Sequence, residues 1–138
     1  MYRSNLLLFL LATITCLLHT TVYAQTAEPK ENKPSEDMLE KAVELYQQRC
    51  VSCHGTRGDG KGVLSKNLNP RPANLRSNVW FRSTTPKRIK RVILGGGGAL
   101  AKSILMPANP DLRNKPELVN ALVHYIVHLV DRTKALKK

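Results

Sequence analysis

Cysteine, acidic residues and aromatic residues are all scarce in this 138-residue chain, which has three cysteines and 5% aromatic residues. Three cysteines are too few for the dense disulfide framework that stabilises many small exported domains. A structural zinc site needs further Cys or His ligands at matching spacing, and the sequence does not supply them. Gly95 to Gly98 do not form a phosphate-binding loop either, because the Lys and Ser/Thr of that motif are not at the required spacing.

The longest apolar run lies at the N-terminus and has the features of an export signal. Arg3 supplies a positive charge, Leu6 to Leu18 carries none, and Val22-Tyr23-Ala24 matches a cleavage site. The run is shorter than the ~20 residues that a membrane-spanning helix needs. We therefore predict a signal peptide over residues 1–24 and a periplasmic protein, with an uncleaved N-terminal membrane anchor as the alternative.

The segment after the signal is polar. Residues 25–34 contain two prolines and no periodicity, so we expect a flexible segment ahead of one domain over residues 35–138. Cleavage after residue 24 would remove Arg3 and Cys16. The mature chain would keep two cysteines and 21 basic against 10 acidic residues, a net charge of +11.

Helical signals occur at three places, and no segment shows the alternation typical of a strand, so the predicted fold class is all-α. Ser35 is suited to cap a first helix that runs to the Cys50 region. Its apolar face comprises Met38, Leu39, Ala42, Val43 and Tyr46. Glycines and prolines predict a loop over residues 55–78.

The second and third predicted helices both have proline in the first turn. Thr84 or Thr85 would cap the second, with Pro86 after it and an exit at Gly95. Its inner face comprises Ile89, Val92 and Ile93. Pro116 begins the last helix. The apolar face of that helix comprises Leu118, Leu122, Tyr125, Ile126 and Leu129.

The sequence Cys50-Val51-Ser52-Cys53-His54 carries the chemistry. Two thiols three positions apart and followed by histidine are typical of c-type haem attachment. On one helical turn, each sulfur can bond a vinyl group along one haem edge, and the adjacent imidazole can reach the iron. A dithiol redox site and a zinc site are the alternatives.

With that motif, Gly58-Asp59-Gly60-Lys61-Gly62, Met106-Pro107 and a long C-terminal helix, the chain resembles the class I cytochromes c, a family of small monohaem proteins. The resemblance covers most of the chain after residue 24. It implies a cytochrome c fold of about three to four helices wrapped around one covalently bound haem c, with His54 and Met106 as axial ligands. It also implies that the first and last helices cross, through Ala42 and Tyr46 against Leu122 and Tyr125.

Two further positions bear on how a haem would be held. Many class I cytochromes have a proline after the Gly-x-Gly turn, whose carbonyl holds the outer nitrogen of the histidine. Val63 stands there in this chain, so its carbonyl or that of a nearby residue would take this role. The resemblance also suggests that Trp80 donates to a haem propionate, with plain core packing as the alternative. Three arginines are further candidates for the propionates: Arg71, Arg76 and Arg82.

A comparison of the three methionines also favours Met106 as the sixth ligand. Met1 would leave with the signal peptide, and Met38 lies on the apolar face of the first helix, where core packing is expected. Met106 lies between a glycine-rich loop and Pro107, which lets the backbone approach the haem. The alternatives are packing of Met106 on the porphyrin, or ligation by His124 or His128, which we expect to be solvated.

His/Met ligation fills all six iron positions and favours the ferrous state, which suits electron transfer rather than catalysis. We therefore expect a non-enzymatic, monomeric electron carrier that transfers single electrons between redox proteins in the periplasm. One alternative is a fixed haem subunit of a larger oxidoreductase. The other is a haem enzyme or gas sensor with a displaceable Met106.

The middle of the chain is strongly basic. Residues 57–102 contain eleven Lys or Arg and one acid, Asp59. We expect these cations to form a rim around the exposed haem edge that steers the protein onto acidic redox partners, although ordinary solvated charge would give the same count. Nucleic acid is a poor partner for an exported chain with few aromatics, whereas contact with an anionic membrane surface stays open.

Overall fold

The computed structural model describes residues 33–135, with side chains described as far as Leu129. The predicted signal peptide (1–24) and all but the last two residues of the predicted flexible segment (25–34) lie outside this range. Within it there are five α-helices and no strand, so the all-α prediction is confirmed. The helices are α1 (Glu36–Arg49), α2 (Val51–His54), α3 (Asn78–Arg82), α4 (Pro86–Gly95) and α5 (Pro116–Ala135). Short 3₁₀ turns cover Ser65–Asn67, Gly97–Leu100 and Pro110–Leu112.

Helix α1 begins where its sequence signals predict. The Ser35 hydroxyl accepts a hydrogen bond from the Met38 backbone N–H at 3.3 Å, and Glu36 and Asp37 occupy the first turn. Both features stabilise a helix start, because that end exposes unpaired N–H groups and a partial positive charge. The helix ends at Arg49, so the first cysteine of the attachment motif follows directly.

Helix α4 is also confirmed. The Thr85 hydroxyl accepts from the Arg88 backbone N–H at 3.2 Å, Pro86 lies in the first turn, and Gly96 ends the helix at φ +73°. Helix α3 was not predicted, because five residues are too few to show helical periodicity. The Ser77 hydroxyl caps it by accepting from the Trp80 backbone N–H.

The core lies where α1 packs across α5, as the resemblance implied. Ala42, Tyr46 and Leu122 are at most 1% exposed, and the rings of Tyr46 and Tyr125 meet edge to face with centroids 5.3 Å apart. The Tyr46 hydroxyl donates to the Gly55 carbonyl at 2.9 Å, and burial raises the pKa of this hydroxyl, which keeps it a donor. The crossing therefore fixes the start of the loop that follows α2.

No helix within residues 33–135 combines the length and the apolar character that a bilayer crossing requires.

Candidate functional site

A cavity of about 640 Å³ lies among the five helices and the loops between them. This volume is within the usual range of cofactor pockets, roughly 300–1,000 Å³. Most of the wall is apolar, and α4 supplies one side of it through Ile89, Val92 and Ile93. The predicted inner face of α4 therefore lines the cavity.

The residues of the attachment motif line this cavity. Cys50, Cys53 and His54 all line it, and α2 holds them on one helical turn in which the His54 N–H donates to the Cys50 carbonyl at 2.8 Å. The two cysteines do not form a disulfide with each other. Burial raises the pKa of the Cys50 thiol to about 11, so it is protonated at neutral pH. A nucleophilic thiol needs a lowered pKa, so Cys50 is unsuited to act as the nucleophile of a dithiol redox site.

The acceptor for the outer nitrogen of His54 is Ala73. Its carbonyl lies 3.1 Å from His54 Nδ1, which leaves Nε2 as the nitrogen available to a metal. Val63 does not take this role, and its side chain is 84% exposed. The loop returns to the site because the Leu75 N–H donates to the Gly58 carbonyl at 2.7 Å, which brings the segment before it against the imidazole. Burial lowers the pKa of His54, and the bond to Ala73 opposes this in part, so the imidazole is neutral at pH 7.

The glycine-rich turn after the motif packs directly on α2. The N–H groups of Gly60 and Gly62 donate to the carbonyls of His54 and Cys53 at 2.8 and 3.1 Å. A Cβ on Gly62 would collide with the backbone of Ser52. Glycine is therefore needed at this position so that the loop can lie against the end of the attachment helix.

Met106 lines the same cavity as the cysteines and His54. Its loop is anchored to the glycine run, where the Gly97 N–H donates to the Met106 carbonyl at 3.0 Å. A Cβ on Gly97 would collide with the Ser103 carbonyl. The glycine run therefore packs closely against the Met106 loop, and Gly97 also lines the cavity; its predicted approach to the haem plane stays a prediction.

Sequence reasoning missed a clasp that ties the Met106 loop to α1. Both the backbone N–H and the side-chain amide of Asn109 donate to the Ile93 carbonyl, at 3.2 and 2.9 Å. Arg49 donates to Asn109 Oδ1 at 3.1 Å and to both carboxylate oxygens of Asp111 at 2.9 Å. About sixty residues separate the partners, so no local pattern points to them. We call Arg49, Asn109 and Asp111 the clasp.

The other candidates divide between the cavity and the rest of the molecule. Trp80 is half-buried and lines the cavity, as does Arg71, whereas Arg76 and Arg82 do not. His124 and His128 are also absent from the wall, and their rings stack on each other with centroids 4.0 Å apart. This placement disfavours either histidine as a rival ligand. Met38 packs against the hydrophobic core, as predicted.

The donor set of the cavity suits haem better than a bare metal ion. Cys50, Cys53, His54 and Met106 line a large apolar space, and no cluster of three or more His, Cys, Asp or Glu side chains among residues 33–129 is arranged to hold a metal. An all-α fold built around such a cavity defines a class I c-type cytochrome. More narrowly, the chain belongs to the family described as cytochrome c oxidase, cbb3-type, subunit III, whose model matches residues 37–126. Membership implies haem binding and electron transfer. No curated protein matches the chain.

Proposed function

We propose that this chain is a monohaem c-type cytochrome that transfers single electrons between redox proteins in the periplasm. One observation carries the proposal: the two thiols, His54 and Met106 line a single apolar cavity although more than fifty residues separate the motif from the methionine. In this proposal Cys50 and Cys53 would hold the haem through thioether bonds, and His54 Nε2 and the Met106 sulfur would be the ligands of its iron.

When bound, haem supplies the ferric/ferrous couple. The chain holds the two ligands in fixed positions, His54 through the Ala73 carbonyl and Met106 through Gly97 and the clasp. A thioether is a soft ligand that favours ferrous iron and raises the reduction potential. The apolar wall on α4 excludes water from the site, and rigid ligands limit rearrangement when an electron arrives or leaves.

Acidic redox proteins are the proposed partners. Three of the eleven cations in residues 57–102 line the cavity, namely Arg71, Arg88 and Lys102, and the mature chain would be strongly basic. Such a surface speeds association with negatively charged partners and makes the rate sensitive to salt. The rate of reduction by an acidic donor should therefore fall as ionic strength rises, and a flat dependence would argue against electrostatic steering.

A fixed subunit of a larger oxidoreductase is the second candidate. The matching family is described as a subunit of an oxidase, and the adjacent apolar residues Ile104 and Leu105 are exposed at 85% and 50%. Ile104 lies two residues before Met106. Such side chains suit a stable protein contact. Gel filtration of a native extract in high salt separates the two roles, since a carrier elutes as a monomer and a subunit elutes with its complex.

The primary test is the optical spectrum of the exported protein in both oxidation states. We expect the absorption of covalent haem c, together with the weak long-wavelength band of a sulfur–iron bond in the ferric form. Haem that is extracted by acidic acetone would contradict covalent attachment, and rapid carbon monoxide binding by the ferrous protein would favour a sensor or enzyme. The intact mass of the exported protein tests whether the predicted signal peptide is cleaved, and we expect Gln25 as the first residue.

A further inference from the structure

A second cavity lies beside the first and is walled by cations. Its volume is about 380 Å³, and four of its lining side chains are basic: Arg82, Lys87, Arg88 and Arg91. The other lining residues are Ser83, Thr84, Thr85 and Leu100, so none is acidic. We call this space the basic cleft. It is adjacent to the larger cavity, because Thr84, Arg88 and Leu100 line both.

We propose that the basic cleft binds a free, multiply charged phosphoryl anion and that this binding lowers the reduction potential of the haem. The volume is within the lower part of the range for small-ligand pockets. Arg82, Lys87 and Arg91 line only the basic cleft, so they are separate from the side chains of the haem cavity.

The cations of the basic cleft have no ion-pair partner within residues 33–129. The ion pairs there are Lys41–Asp37, Arg49–Asp111 and Arg57–Asp59. Positive charges gathered around one space repel one another, and a bound anion would remove that repulsion. A multiply charged anion would do so for several of them at once.

Four basic side chains favour a multiply charged phosphoryl anion over a single carboxylate, because one carboxylate would neutralise only one of them. Guanidinium groups present several N–H donors in a fork that matches phosphate, and Arg91 uses one nitrogen on the Ala99 carbonyl at 3.4 Å. The start of α4 contributes few donors, because Thr85 already accepts from the Arg88 backbone N–H and Pro86 has none, which leaves only the Lys87 N–H beside the basic side chains. Binding therefore depends on the side chains, which substitution can test.

The shared wall couples the basic cleft to the haem. Negative charge held next to the haem cavity stabilises ferric iron relative to ferrous iron, so the anion should bind the ferric protein more tightly. Linkage requires the potential to fall by the same free energy. A tenfold ratio of the two dissociation constants corresponds to about 59 mV for one electron.

The test uses the holoprotein and inorganic pyrophosphate, with binding followed by calorimetry at constant ionic strength. The double variant Lys87→Gln/Arg91→Gln removes two cations that line only the basic cleft. The matched control Lys61→Gln/Lys66→Gln removes two exposed cations that line neither cavity. We expect the dissociation constant to rise at least tenfold in the first variant and less than twofold in the control.

Potentials measured with and without pyrophosphate give the second readout, and at the same subsaturating pyrophosphate concentration the shift should be much smaller in the cleft variant than in the control. Equal weakening in both variants would show that only net charge matters and would overturn the proposal. So would binding to vesicles containing anionic lipid without binding to pyrophosphate, since the ligand would then be a membrane. The calorimetry does not depend on electron transfer to a partner, so its failure is distinct from failure of the proposed function.

Discussion

The guanidinium of Arg49 forms a bidentate salt bridge with the carboxylate of Asp111, and both nitrogen–oxygen distances are 2.9 Å. Arg49 precedes Cys50, and Asp111 lies five residues after Met106. The pair therefore joins the residue before the attachment motif to the segment that follows the proposed sixth ligand.

Asp111→Asn should loosen the Met106 loop, because an amide forms a weaker pair with Arg49. We expect a smaller fraction of ferric protein to show the sulfur–iron absorption band, and faster displacement of the sulfur by added imidazole. Asp37→Asn is the matched control, since it breaks the exposed Lys41–Asp37 pair with the same charge change. An unchanged band and displacement rate in Asp111→Asn would exclude a positioning role for the clasp.

The clasp should also depend on pH. Arg49 holds the pKa of Asp111 below its ordinary value of about 3.9, so the pair stabilises the folded state above that value and is lost as pH falls through the lowered pKa. The sulfur–iron bands of wild type and Asp111→Asn should therefore differ most above pH 4 and converge under stronger acid. An acid titration that follows the sulfur–iron band of both proteins measures this difference. A difference that stays constant with pH would contradict a role for ionised Asp111 in holding the Met106 loop.

Met106→Leu should remove the sulfur ligand while keeping side-chain volume. We expect the sulfur–iron band to disappear, carbon monoxide binding by the ferrous protein to rise from undetectable to stoichiometric, and the reduction potential to fall. Met38→Leu, at a half-buried core position, should change none of these properties. If Met106→Leu kept a closed six-coordinate site in both oxidation states, another residue would be the ligand.

Each of the two cysteines should form its own thioether bond to the haem. Cys53→Ser should leave one thioether bond, so the denatured chain still carries haem, whereas Cys50→Ser with Cys53→Ser should leave none. Ser52→Ala, between them on the exposed side of α2, should behave as wild type. Haem staining of denatured protein measures all three. Covalent haem in the double variant would refute the attachment sites.

Tyr46→Phe should destabilise the fold by about 0.5–1.5 kcal/mol, because it removes the buried hydrogen bond to the Gly55 carbonyl, which keeps only the Gly58 N–H as its donor at 3.0 Å. Denaturant unfolding measures the loss. Ser83→Ala removes a hydroxyl bond at an exposed position and should change the free energy of unfolding by less than about 0.5 kcal/mol. Equal effects of the two substitutions would contradict the importance of the buried bond.

Gly97→Ala should disrupt the Met106 loop, since the added Cβ would collide with the Ser103 carbonyl. At the next position, a Cβ on Gly98 would meet its nearest neighbour, Ile104, at 3.8 Å, an ordinary contact. We therefore expect loss of most of the sulfur–iron band in Gly97→Ala and retention in Gly98→Ala. Comparable bands in the two variants would show that the loop can yield.

The attachment motif, the cap at Ser35, a cap at Thr84 or Thr85 and the class of fold could be predicted from the sequence alone. Each depends on residues within a few positions of one another, where the covalent chain already fixes which groups can meet. Helix α3 was not predicted, because its five residues are too few to show a periodic pattern and its stability depends on packing.

Only the tertiary structure decided that Ala73 rather than Val63 accepts from His54, that Arg49 meets Asp111, and that four cations surround one cleft. These contacts join residues that are distant along the chain or belong to different elements. Many residues are chemically suitable partners, and the packing of the helices and the closure of the loops decide which of them meet. Local residue spacing does not encode that packing or closure.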